Sequence, residues 1–348
     1  MIRRYGKFLF WFCILGIILC GCGGNNESEM YLKDPVNYRI DLFDGVYDNY
    51  LYRMPSNTQD ICVVLNQEQY NTELVSASAA GKFPLGESEA VYAKNVYEQL
   101  PMASLTKLMT ALLALKYGNM EDTVIVGDEV VITYYDAWLA GLKPGDILTM
   151  DDLMYITLIY SGNDGAAAIA AHVGGTVENF VQMMNDEAKA IGATSTHFQN
   201  PHGLDAEEHY TTVYDLYLIF NECLKYDSFL TYIGTLTHEI HYTDVNGNQK
   251  EMAVGNTNLY MNGTEPVPAG ITVFGGKTGF TFNAHRCLAI YTKDSRGQRS
   301  ISIILGAEDQ ESLYEQMDLL IAPDSPFLKT DLSDSNFTEA EQKPHISG

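Results

Sequence analysis

What this 348-residue chain has little of narrows the field quickly. Positive charge is scarce: 21 Lys and Arg face 45 Asp and Glu, a formal net charge of −24. Nothing offers a basic stripe to phosphates, which argues against nucleic acid as a partner. Anionic lipid head groups repel such a chain as well. No apolar run reaches the roughly 20 residues that a comfortable transmembrane helix needs. The eight histidines give no zinc-helix spacing; His238-Glu239-Ile240-His241 is mis-spaced, and its Thr-rich neighbours read as strand. No metal site and no cofactor is expected. A Gly-x-Ser-x-Gly elbow is missing, which counts against an α/β-hydrolase. A phosphate loop wants glycine six residues before its lysine. Ile271 stands there before Lys277, and the following Phe280-Thr281-Phe282 looks like strand, so that reading fails.

Six cysteines are present, but they make no disulfide framework. Cys62, Cys223 and Cys287 are widely spaced in apolar settings and read as buried small hydrophobes, with one disulfide left open. The other three sit near the start. Arg3, Arg4 and Lys7 precede an apolar run from Phe8 to Leu19, the pattern of an export signal. Leu19-Cys20-Gly21-Cys22 then resembles a bacterial lipobox, with Cys22 as the lipidated residue. Gly23 to Ser28 follows as a polar tether. The competing reading is an ordinary cleaved signal whose cysteines are incidental.

What is present reads as globular: 46% hydrophobic and 19% charged residues leave no room for wholesale disorder. Ile61 to Leu65 predicts a buried strand, Thr72 to Ser78 its hairpin partner, and Ala79 to Glu87 a loop. Pro101 opens a helix in which Leu105, Leu108, Met109 and Leu112 repeat at helical spacing, ended by Gly118-Asn119. Thr149 predicts the cap of a helix running to about Tyr160, Thr176 the cap of one over 177–191, and Thr211 or Thr212 the start of another. Strands return after residue 235, notably over 271–274, 287–292 and 300–305, before a helix over 310–320. Two strands early, three late and a helical block between them predict one mixed sheet with a helical subdomain inserted.

Three motifs stand at the element boundaries: Ser104-Leu105-Thr106-Lys107, Ser161-Gly162-Asn163 and Lys277-Thr278-Gly279. Residues three apart share a helix face, so Lys107 can reach the Ser104 hydroxyl. A lysine serves as a base near neutrality only if burial or a second cation lowers its pKa, and Lys277 is the candidate cation. Ser161 and Asn163 flank a glycine at a helix break and can both point into one cleft. Gly275, Gly276 and Gly279 are read as leaving room for a substrate backbone along the strand edge. Together these residues supply a nucleophile, its base, a polar bridge and a cation for a carboxylate.

The set resembles the penicillin-binding serine D-alanyl-D-alanine carboxypeptidases over roughly residues 58–322. Further blocks carry the resemblance: Met184-Asn185, Asn200-Pro201-His202-Gly203-Leu204-Asp205, Tyr210-Thr211-Thr212, Asn256-Thr257-Asn258-Leu259 and Gly276 to Thr281. It implies an α/β (α+β) fold of the β-lactamase/transpeptidase type, a mostly antiparallel five-stranded sheet flanked by helices. Residues 1–21 would then be the leader, 22–57 a tether and lead-in, and 323–348 a polar tail. The resemblance further implies Ser104 as nucleophile, Lys107 as base, Ser161 as proton relay and Asn163 as peptide orienter. Lys277 and Thr278 would bind the terminal carboxylate, with Gly279 beside them and the Phe280 N–H completing an oxyanion hole with that of Ser104. The implied substrate is a peptidoglycan stem peptide ending in D-Ala-D-Ala, with β-lactams as covalent inhibitors and the membrane reached through the Cys22 lipid. Gly165 replaces a usual alanine, and Asn283 to Arg286 replaces a common small pair. A β-lactamase would need a deacylating glutamate, and His197 stands where one is sought. A weakly hydrolytic penicillin-binding or wall-sensing module is the other alternative.

Overall fold

The computed structural model describes residues 61–64, 67 and 70–322. The expected leader, the tether with Cys22 and the polar tail lie outside the described residues. A five-stranded sheet runs in the order β2-β1-β9-β8-β7, formed by Ala79–Pro84 (β1), Tyr92–Lys94 (β2), Thr272–Thr281 (β7), His285–Lys293 (β8) and Arg299–Ala307 (β9). Its pairings are all antiparallel, where a mixed sheet had been read from the strand count. A second antiparallel sheet joins β3 (Thr123–Ile125), β4 (Ile147–Thr149), β5 (Thr237–Thr243) and β6 (Gln249–Gly255). His238 and His241 lie on β5, and their strand reading holds.

Eight α-helices pack on these sheets or on one another among the described residues. They are α1 (Lys107–Tyr117), α2 (Met150–Tyr155), α3 (Asn163–Gly174), α4 (Val177–Ala190), α5 (Val213–Cys223), α6 (Asp227–Gly234), α7 (Leu259–Asn262) and α8 (Gln310–Ile321). The predicted caps are in place: Thr149, Thr176 and Thr212 each accept a hydrogen bond from the backbone N–H three residues on, relieving an orphan donor of the first turn. Helix α1 is buried from Lys107 to Ala114 and forms the central post of the molecule. Its predicted end is met where Gly118 leaves helical geometry and donates to the Ala114 carbonyl.

The early strands were misplaced in sequence. Among the described residues of 61–65 only Val63 pairs, in a single bridge to Glu89, and Thr72–Leu74 is a 3-10 turn capped by Asn71. The segment read as a loop supplies β1, paired to β9 over six residues. Its small residues serve packing: a Cβ on Gly81 would lie 2.7 Å from the Phe83 ring and 3.0 Å from Val213 of α5. Smallness here lets a helix lie close on the strand, a tertiary demand that mimics a loop signal. Helix α6 was not foreseen either; its buried Phe229, Tyr232 and Ile233 pack it against β7. Cys62, Cys223 and Cys287 are free and buried.

Candidate active site

Three chain segments converge between the helices and the β7 edge of the main sheet. The first is a 3-10 turn over Ala103–Thr106 that runs into α1. Ala103 takes the left-handed conformation at φ 48°, a strain of about 1–3 kcal/mol that alanine bears with the smallest side chain a chiral residue has. Two close approaches hold it. A Cβ on Gly203 would sit 1.9 Å from the Ala103 carbonyl oxygen, and one on Gly279 would be 3.2 Å from the Ser104 nitrogen. Thr106 Oγ1 donates to the Ala103 carbonyl and meets His209 Nε2 at 2.9 Å. Burial pushes His209 down to about 4, so it is neutral near pH 7.

The second segment follows α2. The helix widens into a π turn over Ile156–Tyr160 and stops at Ser161, which is left-handed at φ 70°. Gly162 returns a hydrogen bond to the Ile156 carbonyl, and a side chain there would strike Ile156 at 2.6 Å. Helix α3 then starts at Asn163. The fully buried Asp164 next to it accepts from the N–H groups of Ala140, Gly141, Leu142 and Gly165 at 2.8–3.0 Å. This fastens the 138–142 loop to the site; the Asn163 N–H adds a bond to the Trp138 carbonyl.

The third segment is β7, at the edge of the sheet. Its glycines make close approaches within the protein itself. A Cβ on Gly275 would lie 2.3 Å from the Ile233 carbonyl, and one on Gly276 would lie 2.1 Å from that of Ala289. Both make room for the protein's own backbone, while Gly279 makes room for the 102–104 turn.

Lys107 and Lys277 are both fully buried. Lys107 Nζ lies 2.8 Å from Ser104 Oγ, 2.6 Å from Asn163 Oδ1 and 2.7 Å from the His202 carbonyl. Lys277 Nζ lies 2.7 Å from Ser161 Oγ and 2.9 Å from the Thr278 carbonyl. Burial drives the Lys107 amine well below its ordinary value; the Lys277 charge lowers it further and Asp164 opposes. Burial brings Lys277 down to about 7. Thr278 Oγ1 meets Thr257 Oγ1 at 2.6 Å, and the Thr257 N–H binds the Ile159 carbonyl just ahead of Ser161.

The hydrogen bonds decide what a neutral Lys107 can do. The Asn163 Oδ1 and the His202 carbonyl can only accept, so they take the two hydrogens of an amine. The lone pair then faces the one partner able to donate, the Ser104 hydroxyl. Ser104 itself is only half-buried, within reach of a ligand. Every predicted catalytic and substrate-binding residue lies on one of the three converging segments, while Cys22, the expected lipidation site, lies outside the described residues. The Asn163 oxygen holds Lys107, which leaves its amide nitrogen, the donor a peptide carbonyl needs, for orienting a peptide. Sequence reasoning missed His209, Thr257 and the carbonyl role of His202. The resemblance blocks around 200–212 and 256–259 were the signal that could have found them.

Sheet, helical layer and serine–lysine pairing define the fold of the DD-transpeptidases. A Streptomyces DD-transpeptidase crystal structure aligns with a TM-score of 0.63 at 25% identity, over 70% of this chain and 96% of that one. The profile of the D-alanyl-D-alanine carboxypeptidases (peptidase S11) matches residues 85–309, and the chain belongs to that family. It is 34% identical to the D-alanyl-D-alanine carboxypeptidase DacF of Bacillus subtilis over 66% of this chain and 57% of that protein. It is 31% identical to DacC of Escherichia coli over 68% and 58% respectively. The chain thus spans somewhat more than half the length of these relatives.

Proposed function

We propose that this protein is a serine D-alanyl-D-alanine carboxypeptidase that removes the terminal D-alanine from peptidoglycan stem peptides. The observation that carries the reading is the Lys107 amine, buried beside a second lysine, with only Ser104 left to give it a proton. Ser104 Oγ attacks the carbonyl between the two D-alanines as Lys107 takes its proton. The Ser104 and Phe280 N–H groups hold the oxyanion, a contribution typically of about 3–4 kcal/mol. The C–N bond then breaks, and the proton returns through Ser161 to the departing D-alanine. Water hydrolyses the acyl-enzyme and frees Ser104. Lys277 and Thr278 bind the terminal carboxylate beside Gly279, and the Asn163 amide orients the peptide. β-Lactams acylate the same serine.

We further infer that the protein is exported and held at the outer face of the bacterial cytoplasmic membrane by lipid on Cys22. One acyl chain binds only marginally, whereas a diacylglyceryl group carries two. The test of the activity is D-alanine release from a diacetyl-lysyl-D-Ala-D-Ala peptide by wild type and Ser104→Ala. Release lost in the variant is expected. Stable β-lactam labelling without release would indicate a sensor, and rapid β-lactam turnover a lactamase.

A further inference from the structure

Thr257 lies outside the three converging segments, in the short link from β6 to α7, yet it touches two of them. The link is pinned on either side of it. Asn256, which is buried, donates its amide nitrogen to the Ile233 and Thr235 carbonyls at 3.1 and 2.9 Å, and its oxygen accepts from the Asn258 N–H at 3.0 Å. Asn258, fully buried, caps α7 by accepting from the Tyr260 N–H, and the Tyr314 hydroxyl reaches the same oxygen at 3.4 Å. Thr257 is thus held in place before it makes any contact of its own. Its N–H donates to the Ile159 carbonyl at 2.9 Å, in the π turn just ahead of Ser161. Its hydroxyl meets that of Thr278 at 2.6 Å. One residue therefore sets the turn that carries Ser161 against the β7 edge.

The direction of the Thr257–Thr278 bond decides what β7 offers to a ligand. A hydroxyl carries one hydrogen and two lone pairs. Among the described residues each of these two hydroxyls has the other as its one hydrogen-bond partner, so one donates and the other keeps its hydrogen free. Lys277 Nζ is buried and committed to Ser161 Oγ and the Thr278 carbonyl. The half-buried Thr278 hydroxyl is the side-chain donor beside it on the same strand. A carboxylate can only accept, so a hydroxyl that faces one must donate. Thr278 must then take its own bond from Thr257.

We propose that Thr257 is a positioning residue that donates to Thr278 and so turns the Thr278 hydrogen toward the substrate carboxylate, without touching the substrate itself. Hydrogen bonds in such a chain polarise one another, so a Thr278 hydroxyl that accepts from Thr257 is the better donor. The two contacts of Thr257 divide the work. Its main-chain bond to Ile159 is architectural and survives any side chain other than proline. Its hydroxyl serves recognition, and valine removes that hydroxyl while keeping the branched shape and the N–H. This assignment rests on the carboxypeptidase reading above, in which Thr278 binds the carboxylate.

The test compares diacetyl-lysyl-D-Ala-D-Ala with diacetyl-lysyl-D-alanine methyl ester, which has the same acyl part and no carboxylate on its leaving group. Thr257→Val is expected to raise the peptide KM about three- to tenfold, the worth of one hydrogen bond, with kcat close to wild type and ester turnover unchanged. Thr257→Ser, which restores the hydroxyl, should return the peptide KM to the wild-type value. In a Thr278→Val background Thr257→Val should add nothing, since the hydroxyl it removes acts through Thr278. Equal losses on peptide and ester, or a serine variant as weak as the valine one, would make Thr257 a structural tie and overturn the proposal. A further loss in the Thr278→Val background, the mark of direct contact with substrate, overturns it as well. Wild-type constants for Thr257→Val on both substrates overturn it while leaving the carboxypeptidase intact. No peptide release by wild type overturns both.

Discussion

Asp164→Asn isolates what a buried carboxylate does for this site, and its two effects run in opposite directions. Oδ1 accepts from the Ala140 and Gly165 N–H groups, and Oδ2 from those of Gly141 and Leu142. An asparagine retains one acceptor oxygen; its amide nitrogen faces two N–H donors with nothing to accept them. Each buried donor left unpaired costs about 1–3 kcal/mol, so the variant should lose about 2–6 kcal/mol. For a domain of this size that is a drop of roughly 5–20 °C in melting midpoint. The charge effect favours activity at lower pH. Asp164 raises the Lys107 pKa, opposing burial and Lys277. Removing its charge lowers that pKa, so the base form persists to lower pH. Acylation by a fluorescent penicillin, followed across pH in the variant and wild type, should show the acid limb displaced downward while thermal melts show lost stability. An acid limb that moves upward, or a melting midpoint unchanged, would refute the assigned role of this carboxylate.

Other expectations follow from the same geometry. Lys277→Ala should reduce turnover of the carboxylate-bearing peptide at least tenfold more than that of a carboxylate-free ester; equal losses refute a carboxylate-binding role. A lysine is charged below its pKa and Lys277 lies at about 7, so the peptide KM should rise as pH increases through that value while the ester KM stays level. Gly203→Ala should abolish β-lactam labelling, since its methyl would press to 1.9 Å on the Ala103 oxygen and must displace the turn that carries Ser104. Normal labelling with normal melting would show that the contact yields. Cys22→Ala should release the protein from membranes to the soluble fraction, with fatty-acid labelling lost.

Much of the site was legible because its parts are local. Ser104 and Lys107 share a face by helical spacing, Thr149 and Thr176 announce their caps, and Ser161-Gly162-Asn163 marks a helix break whatever surrounds it. The strand count and the inserted helices came through the local pattern and the antiparallel arrangement through resemblance, while the two early strands came through misplaced. Ala79 to Gly81 carry the signature of a loop until α5 is laid on them.

Sequence alone determined the ingredients here: a hydroxyl, two amines, an amide and the turns that present them. Their protonation and their partners were decided only in three dimensions. Burial of both lysines, with Lys277 acting on Lys107 across 170 positions of chain, depends on the β7 edge closing against the 103–106 turn ahead of α1 and on Ser161 ahead of α3. The glycines show the same division. Gly203 needs glycine twice over, for its φ of +92° and for the Ala103 carbonyl oxygen 1.9 Å from where a Cβ would lie, and only the packed turn reveals the second reason. Local spacing fixes which groups can cooperate, and long-range packing sets the dielectric and the close contacts that make them do so.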